Sequence, residues 1–377
     1  MSQTGGAPDE SGQAAEAGTS RLPEASIAVV GGGLIGLSIA WELARAGWRV
    51  AVFEKNLVGG EASWAGAGML SPGGEIEGPS PLASLALESR ALYRQFVLEL
   101  EKASGLTIDY QECGSLDLAY SPGELQALES RAVEQEAGGI HSKAVSAQHI
   151  QAFWPRLRAE GLAGGRFYAN DAIVNPRELT LALATACRKL GLPVQQSCAV
   201  TRVRVLETVV EVEAACGSGR YEAVVIAAGA WSSSIPLEGV PHIPAAEPVK
   251  GHLIGYQQPE QTCPTIVRHG STYLLQRASG LLIVGASVEH VGFDRAVRLE
   301  VAAGLAERAA FVFPHLGETT PSETWIGFRP GSDTVHIEPW HSKRLYLAYG
   351  HYRNGILLAP VTGKKIAAEI TANLRTR

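Results

Sequence analysis

Gly31, Gly33 and Gly36 stand in a G-x-G-x-x-G pattern, and Glu54 follows 21 residues after Gly33. Each glycine has a separate task at that spacing. Gly31 makes a tight turn, Gly33 lets backbone approach a pyrophosphate, and Gly36 lets a helix pack closely on a strand. Leu34 and Ile35 would open that helix, whose free N–H groups and partial positive charge suit phosphates. Glu54 is placed to accept hydrogen bonds from a ribose diol, with Lys55 beside it. The chemistry indicated is the binding of a dinucleotide.

The elements that must position these residues are legible around them. Residues 26–31, SIAVVG, are short and β-branched, as in a buried parallel strand. LIGLSIAWELARAGW has helical spacing, and RVAVFEK forms a second strand. The result is a βαβ unit. A membrane span is the rival for such an apolar stretch, but four glycines within six residues would weaken a spanning helix.

Composition narrows the classes. The chain has 377 residues, 46% hydrophobic and 19% charged, with a net charge of −6. That profile predicts a globular protein with a large core, no basic footprint for nucleic acid and no integral membrane segment. Five cysteines, none spaced C-x-x-C, argue against a disulfide scaffold, a zinc site or a dithiol centre. No metal site is expected, and a reducing cytoplasm is the expected compartment. Residues 1–25 are small, polar and acidic, and are read as a disordered tail.

Three further blocks point to a flavin rather than a nicotinamide. GGEASWAGAGMLSP, 59–72, is a small-residue loop that could run beneath a planar ring. YEAVVIAAGAWSS, 221–233, reads as a strand entering a glycine turn. In LYLAYGHYRNGILLAPVTGKKIAAEI, 345–370, a strand leads to Gly350 and then to a helix starting near Asn354. Such a helix could aim its dipole at the ring edge where negative charge develops on reduction.

Together these blocks, with VNPRELTLAL at 174–183, PVKGH at 248–252, LLIVGASVEHVGFD at 281–294, WIGFRPGSD at 325–333 and GHYRNGILLAP at 350–360, resemble the D-amino-acid-oxidase-like FAD oxidoreductases. Within that family the resemblance is to the glycine-oxidase branch that serves thiamine biosynthesis. It implies non-covalent FAD, a small amino-acid substrate, oxygen as acceptor and a homo-oligomer. Gly31, Gly33, Leu34, Ile35, Gly36, Glu54 and Lys55 would hold the nucleotide. Ala62, Ser63, Gly66, Ala67, Gly68 and Met69 would meet the flavin, and Val200 the adenine end. Ala228, Gly229 and Trp231 would lie near the cofactor. Gly350, His351, Arg353, Asn354, Gly355, Ile356 and Leu357 would line the pyrimidine edge.

On the substrate side, the resemblance implies that Arg329 grips the carboxylate with its planar fork. Tyr273 would assist, with Val288 and Arg353 as further pocket residues. The implied reaction is oxidative deamination to an α-keto acid (glyoxylate from glycine), ammonia and hydrogen peroxide. No nucleophile–base pair is needed for hydride transfer from a neutral amine. His252 and His351 fall in flavin-side motifs and are open to either a proton-tuning or a packing role. The sequence RPGSDTVHIEP departs from the family pattern, and residues 333–339 are expected to border the site. A dehydrogenase passing electrons to a carrier other than oxygen, or a non-catalytic FAD-binding partner subunit, are the alternatives.

The expected architecture is α/β. A Rossmann-like FAD-binding domain comprises 26–95, 165–239 and 320–377. A discontinuous, antiparallel-sheet substrate domain comprises 96–164 and 240–319.

Overall fold

Every residue of the strand Ile27–Val30 is buried, because both its faces are covered. Ile27 and Val29 point into one apolar cluster, Ala28 and Val30 into another. This explains why the segment reads as a continuous apolar run rather than an alternating one. A computed structural model describes residues 21–375.

That strand lies inside a six-stranded sheet, in the order His336–Pro339, Leu345–Tyr349, Ala223–Ile226, Ile27–Val30, Val50–Phe53, Val194–Gln195. All neighbours are parallel except the antiparallel edge strand His336–Pro339. One face carries the helices Leu34–Arg45, Pro81–Ser104, Pro176–Lys189 and Gly355–Leu374, which share one core. The opposite face carries a four-stranded sheet built from Val200–Val205, Val210–Ala214, Gly217–Tyr221 and Leu237–Glu238.

A second, eight-stranded sheet runs Glu323–Gly331, Glu247–Gln257, Leu281–Gly285, Thr272–Gln276, Ile266–His269, Ser115–Ala119, Gly164–Tyr168, Lys143–Ser146. The helix Leu299–Val312 covers one of its faces. The other face, with Leu253, Tyr273, Leu275, Ile283 and Trp325, looks toward the first sheet. Trp325 crosses the gap, its indole N–H donating to the Ala65 carbonyl at 2.9 Å.

The fold is the mixed α/β type, but several segment limits differ from expectation. The limit at residue 95 falls inside the helix Pro81–Ser104, whose Phe96, Val97 and Leu100 complete the cofactor-side core. Residues 165–168 and 323–331 fall within the expected cofactor domain, yet both pair into the eight-stranded sheet. Of the expected tail, residues 1–20 lie outside the described residues. Residues 21–25 pack instead, because Leu22 and Ala25 are buried against the four-stranded sheet and Leu22 N–H donates to Ser218 at 2.9 Å.

The cysteines also require a correction. Cys198 and Cys216 form a disulfide, with Cα atoms 5.3 Å apart. They flank the hairpin of Val200–Val205 and Val210–Ala214, whose antiparallel register places Val200 opposite Ala214 and so brings the two together. Cys113, Cys187 and Cys263 are free.

Candidate functional site

A long cleft starts at the glycine turn after Ile27–Val30 and ends against the eight-stranded sheet. Its walls are mostly backbone. A Cβ at Gly31 would lie 2.2 Å from the Ala227 carbonyl oxygen, so only glycine, at φ +113°, fits beside the neighbouring strand. A Cβ at Gly36 would fall 1.9 Å from the Gly31 oxygen, which makes Gly36 the packing glycine and keeps it out of the cleft lining.

At this end Glu54 is buried and organises the turn. Its Oε2 accepts from Gly32 N–H at 2.8 Å and its Oε1 from Asn56 N–H at 2.9 Å. Ser63 Oγ accepts from Leu34 N–H at 2.9 Å, satisfying one of the unpaired donors that every helix start presents. Lys55 Nζ sits 3.1 Å above the Trp231 ring, and burial lowers its pKa. Val200, Ala228, Gly229 and Trp231 line the same stretch.

Midway, Ala62, Ser63, Gly66, Ala67, Gly68 and Met69 face residues from the start of Gly355–Leu374. Arg277 pins this loop by donating to the carbonyls of Ala67 and Val174. His351, Arg353, Asn354, Gly355 and Ile356 form the opposing wall. His351 is buried, with Nε2 3.0 Å from Thr362 Oγ1, and burial pushes its pKa down to about 3, so it is neutral at physiological pH. Asn354 Oδ1 is buried without a hydrogen-bond partner.

At the far end Arg329 and Tyr273, from strands of the eight-stranded sheet with two others between them, both line the cleft. Gly251 makes room for Arg329: a Cβ there would be 2.4 Å from both terminal guanidinium nitrogens. Gly285 does the same for Tyr273, whose hydroxyl would be 2.2 Å from an added Cβ. Arg329 Nη1 donates to the Ser287 carbonyl at 3.1 Å. Among the described residues no carboxylate lies within ion-pair distance of Arg329, and burial lowers its pKa. Burial raises the pKa of Tyr273, with Arg329 opposing, so the phenol remains a donor. A partly desolvated, uncompensated guanidinium is costly unless an anion joins it.

Arg353 differs. Its Nε and Nη2 donate to Glu75 Oε2 and Oε1 at 2.6 and 2.9 Å, a bidentate pair facing the cleft. Glu75 escaped the sequence reading; the Gly-Gly-Glu run after the small-residue loop was its only signal. Gly251 and Phe328 were also missed as lining residues.

Besides Gly36, three expected positions lie outside the lining. Val288 is 49% exposed, because the bridge between Glu289 and Lys250 turns the Ser287 carbonyl, not the Val288 side chain, toward Arg329. Leu357 is buried in the helical core. Gly350, at φ +80°, shapes the turn, where a Cβ would meet the Thr334 oxygen at 2.4 Å. His252 is buried beyond the cleft, with Nδ1 2.7 Å from Glu289 and Nε2 accepting from Arg298 N–H. Residues 333–339 do not line the cleft directly. His336–Pro339 is an edge strand whose buried His336 packs on Tyr349, a lining residue, with ring centroids 5.0 Å apart, so the departures there lie behind the cleft wall.

A backbone-walled cradle at one end, a small-residue slot and an orphaned amide oxygen at the middle, and a free guanidinium at the other fit a flavin dinucleotide with a small acid beside it. The family model described as FAD dependent oxidoreductase matches residues 26–369, so the chain belongs to this family of FAD-dependent oxidoreductases. Among curated proteins, it is 34% identical to a glycine oxidase of Geobacillus kaustophilus over 345 residues, covering 90% of this chain and 91% of that one. It is 33% identical to the bifunctional protein ThiO/ThiG of Synechocystis sp., covering 90% of this chain and 51% of that one. The crystal structure of the Geobacillus glycine oxidase superposes with a TM-score of 0.86 at 32% identity, covering 94% and 95% of the two chains. That of an iminodiacetate oxidase from Chelativorans sp. BNC1 gives 0.81 at 25% identity, covering 92% and 95%. Among the described residues no helix is long and apolar enough to cross a membrane, and no cluster of potential metal ligands occurs.

Proposed function

We propose that this protein oxidises glycine or a similarly small amino acid (sarcosine, a small D-amino acid) to the α-keto acid, ammonia and hydrogen peroxide. The observation that carries this is the uncompensated Arg329 guanidinium that lines the cleft together with Tyr273. FAD, when bound, supplies the two-electron oxidation of the amine-bearing carbon and passes the electrons to oxygen. The chain does the rest. Arg329 takes the substrate carboxylate through its fork, and Tyr273 donates to the same group. Two fixed contacts on one small anion orient the amine-bearing carbon. Gly31, Gly33, Glu54 and the start of Leu34–Arg45 would hold the nucleotide, and the start of Gly355–Leu374 would place its partial positive charge at the ring. His351, neutral and bonded to Thr362, contributes no charge of its own. Among the described residues no cysteine lines the cleft, and His351 is bonded to Thr362; both support reading the FAD as non-covalent.

Similarity to the ThiO/ThiG protein supports a role in making the thiazole of thiamine. Homo-oligomer assembly and a cytoplasmic location complete the reading; in that compartment Cys198 and Cys216 would be held as thiols.

The test is a peroxide assay on the purified yellow protein with glycine, sarcosine and D-alanine, run beside dye reduction to separate oxidase from dehydrogenase turnover. Arg329→Ala should lower kcat/KM for glycine by about 100-fold, chiefly through KM, as loss of a charged bidentate contact implies. A KM within twofold of the parent would remove Arg329 as the anchor.

A further inference from the structure

Two guanidinium groups face the substrate end of the cleft, and only one of them is free. Arg353 is held by both oxygens of Glu75, whereas Arg329 has a carbonyl as its partner. Both arginines, Glu75 and Tyr273 line this end of the cleft; Arg277, which also acts on Tyr273, is tied to the carbonyls of Ala67 and Val174 and is offset by Asp109 and Glu178. The pairing is built rather than incidental. Glu75 ends the short turn Pro72–Glu75, and that turn is clamped from three sides.

Asp171, fully buried, accepts from Ser71 Oγ and, more weakly, from Gly73 N–H at 3.5 Å. Gln135, also fully buried, donates to the carbonyls of Gly73 at 2.9 Å and Ile76 at 2.6 Å. Arg268 donates to Ser71 Oγ and pairs with Asp117. The two glycines of the turn are required by this packing: a Cβ at Gly73 would lie 2.2 Å from the Tyr168 ring, and one at Gly74 2.1 Å from the Arg268 guanidinium.

Resting on the carboxylate-anchor reading above, we propose that Glu75 sets the charge specificity of the pocket: by neutralising Arg353 it leaves Arg329 as the single free cation among the described residues lining this end of the cleft, so the site takes monocarboxylate amines and rejects amines carrying a second acidic group. Charge counting gives the reason. A neutral-amine monocarboxylate brings one negative charge to Arg329 and leaves this end of the cleft balanced. A dicarboxylate leaves one negative charge uncompensated where water is scarce, which is unfavourable. Without the Glu75 charge, Arg353 would be available to a second carboxylate. A structural relative of this chain is named for iminodiacetate, a dicarboxylate.

The experiment uses the FAD-loaded protein and two anions without an amine, acetate and malonate, each titrated by the change in flavin absorbance. In the parent, acetate should bind at least as tightly as malonate. Glu75→Gln should shift the acetate-to-malonate Kd ratio toward malonate by about tenfold or more, and adding Arg353→Gln should return it to within about threefold of the parent. An unchanged ratio in Glu75→Gln, or a gain that survives the second substitution, overturns the proposal. If Glu75→Gln does not retain flavin, Arg353→Gln alone decides. Its unpaired Glu75 should move the ratio against malonate by about threefold or more, and an unmoved ratio is fatal. Acetate binding that ignores Arg329→Ala would instead sink the carboxylate-anchor reading itself, independently of the ratio.

Discussion

Arg329 can hold a carboxylate only because its diagonal neighbour on the paired strand is small. The guanidinium lies over Gly251, where any Cβ would overlap its terminal nitrogens. Gly251→Ala should therefore displace the fork and raise KM for glycine by about tenfold or more while flavin content stays at the parent level, since misplacement near 1 Å suffices for such losses. Steady-state kinetics with flavin quantification checks this, and a KM within twofold would show that the fork has slack. Arg329 was legible from its motif, and Gly31, Gly33 and Glu54 from their spacing. Glu75 was not, because its partner lies 278 residues away and nothing local marks a carboxylate as paired. Val288 was misjudged for the opposite reason. The resemblance implies a pocket wall there, but the strand Leu281–Gly285 ends before that residue and its side chain is exposed.

At the level of elements, the cradle depends on how one helix begins. The helix Leu34–Arg45 has Gly33 at its N-cap, which offers no side chain, and borrows Ser63 Oγ from a distant loop. Ser63→Ala should cost about 1 kcal/mol, the usual worth of a cap, and lower the melting temperature by about 2 °C. Calorimetry of the FAD-free protein would report it, and an unchanged Tm would mean that another donor or water replaces the serine. The βαβ unit was readable because its period switches cleanly from strand to helix. Glu323–Gly331 was placed in the wrong sheet, because the strand's own residues do not say which neighbour it pairs with. Its nine-residue register with Glu247–Gln257 is a long-range fact. The limit at residue 95 failed similarly, since helix Pro81–Ser104 runs on with buried Phe96 and Leu100.

For the whole molecule, the Cys198–Cys216 bridge closes a loop with a separation of 18 residues, the one constraint that composition argued against. Closing a loop of this size is worth about 3 kcal/mol. The oxidised protein, unfolded under alkylating conditions, should show three free thiols and the reduced protein five. The oxidised form should also melt at higher temperature. Five thiols after mild oxidation would show that the pair does not close.

The order of strands has a consequence for how the protein is made. The strand Ala223–Ile226 lies between Ile27–Val30 and Leu345–Tyr349, and the helix Gly355–Leu374 shares a core with Leu34–Arg45. The cradle encoded near residue 31 therefore has no far wall until residues 345–374 have been made. A chain stopped short of Leu345 would carry the fingerprint without the means to keep its nucleotide.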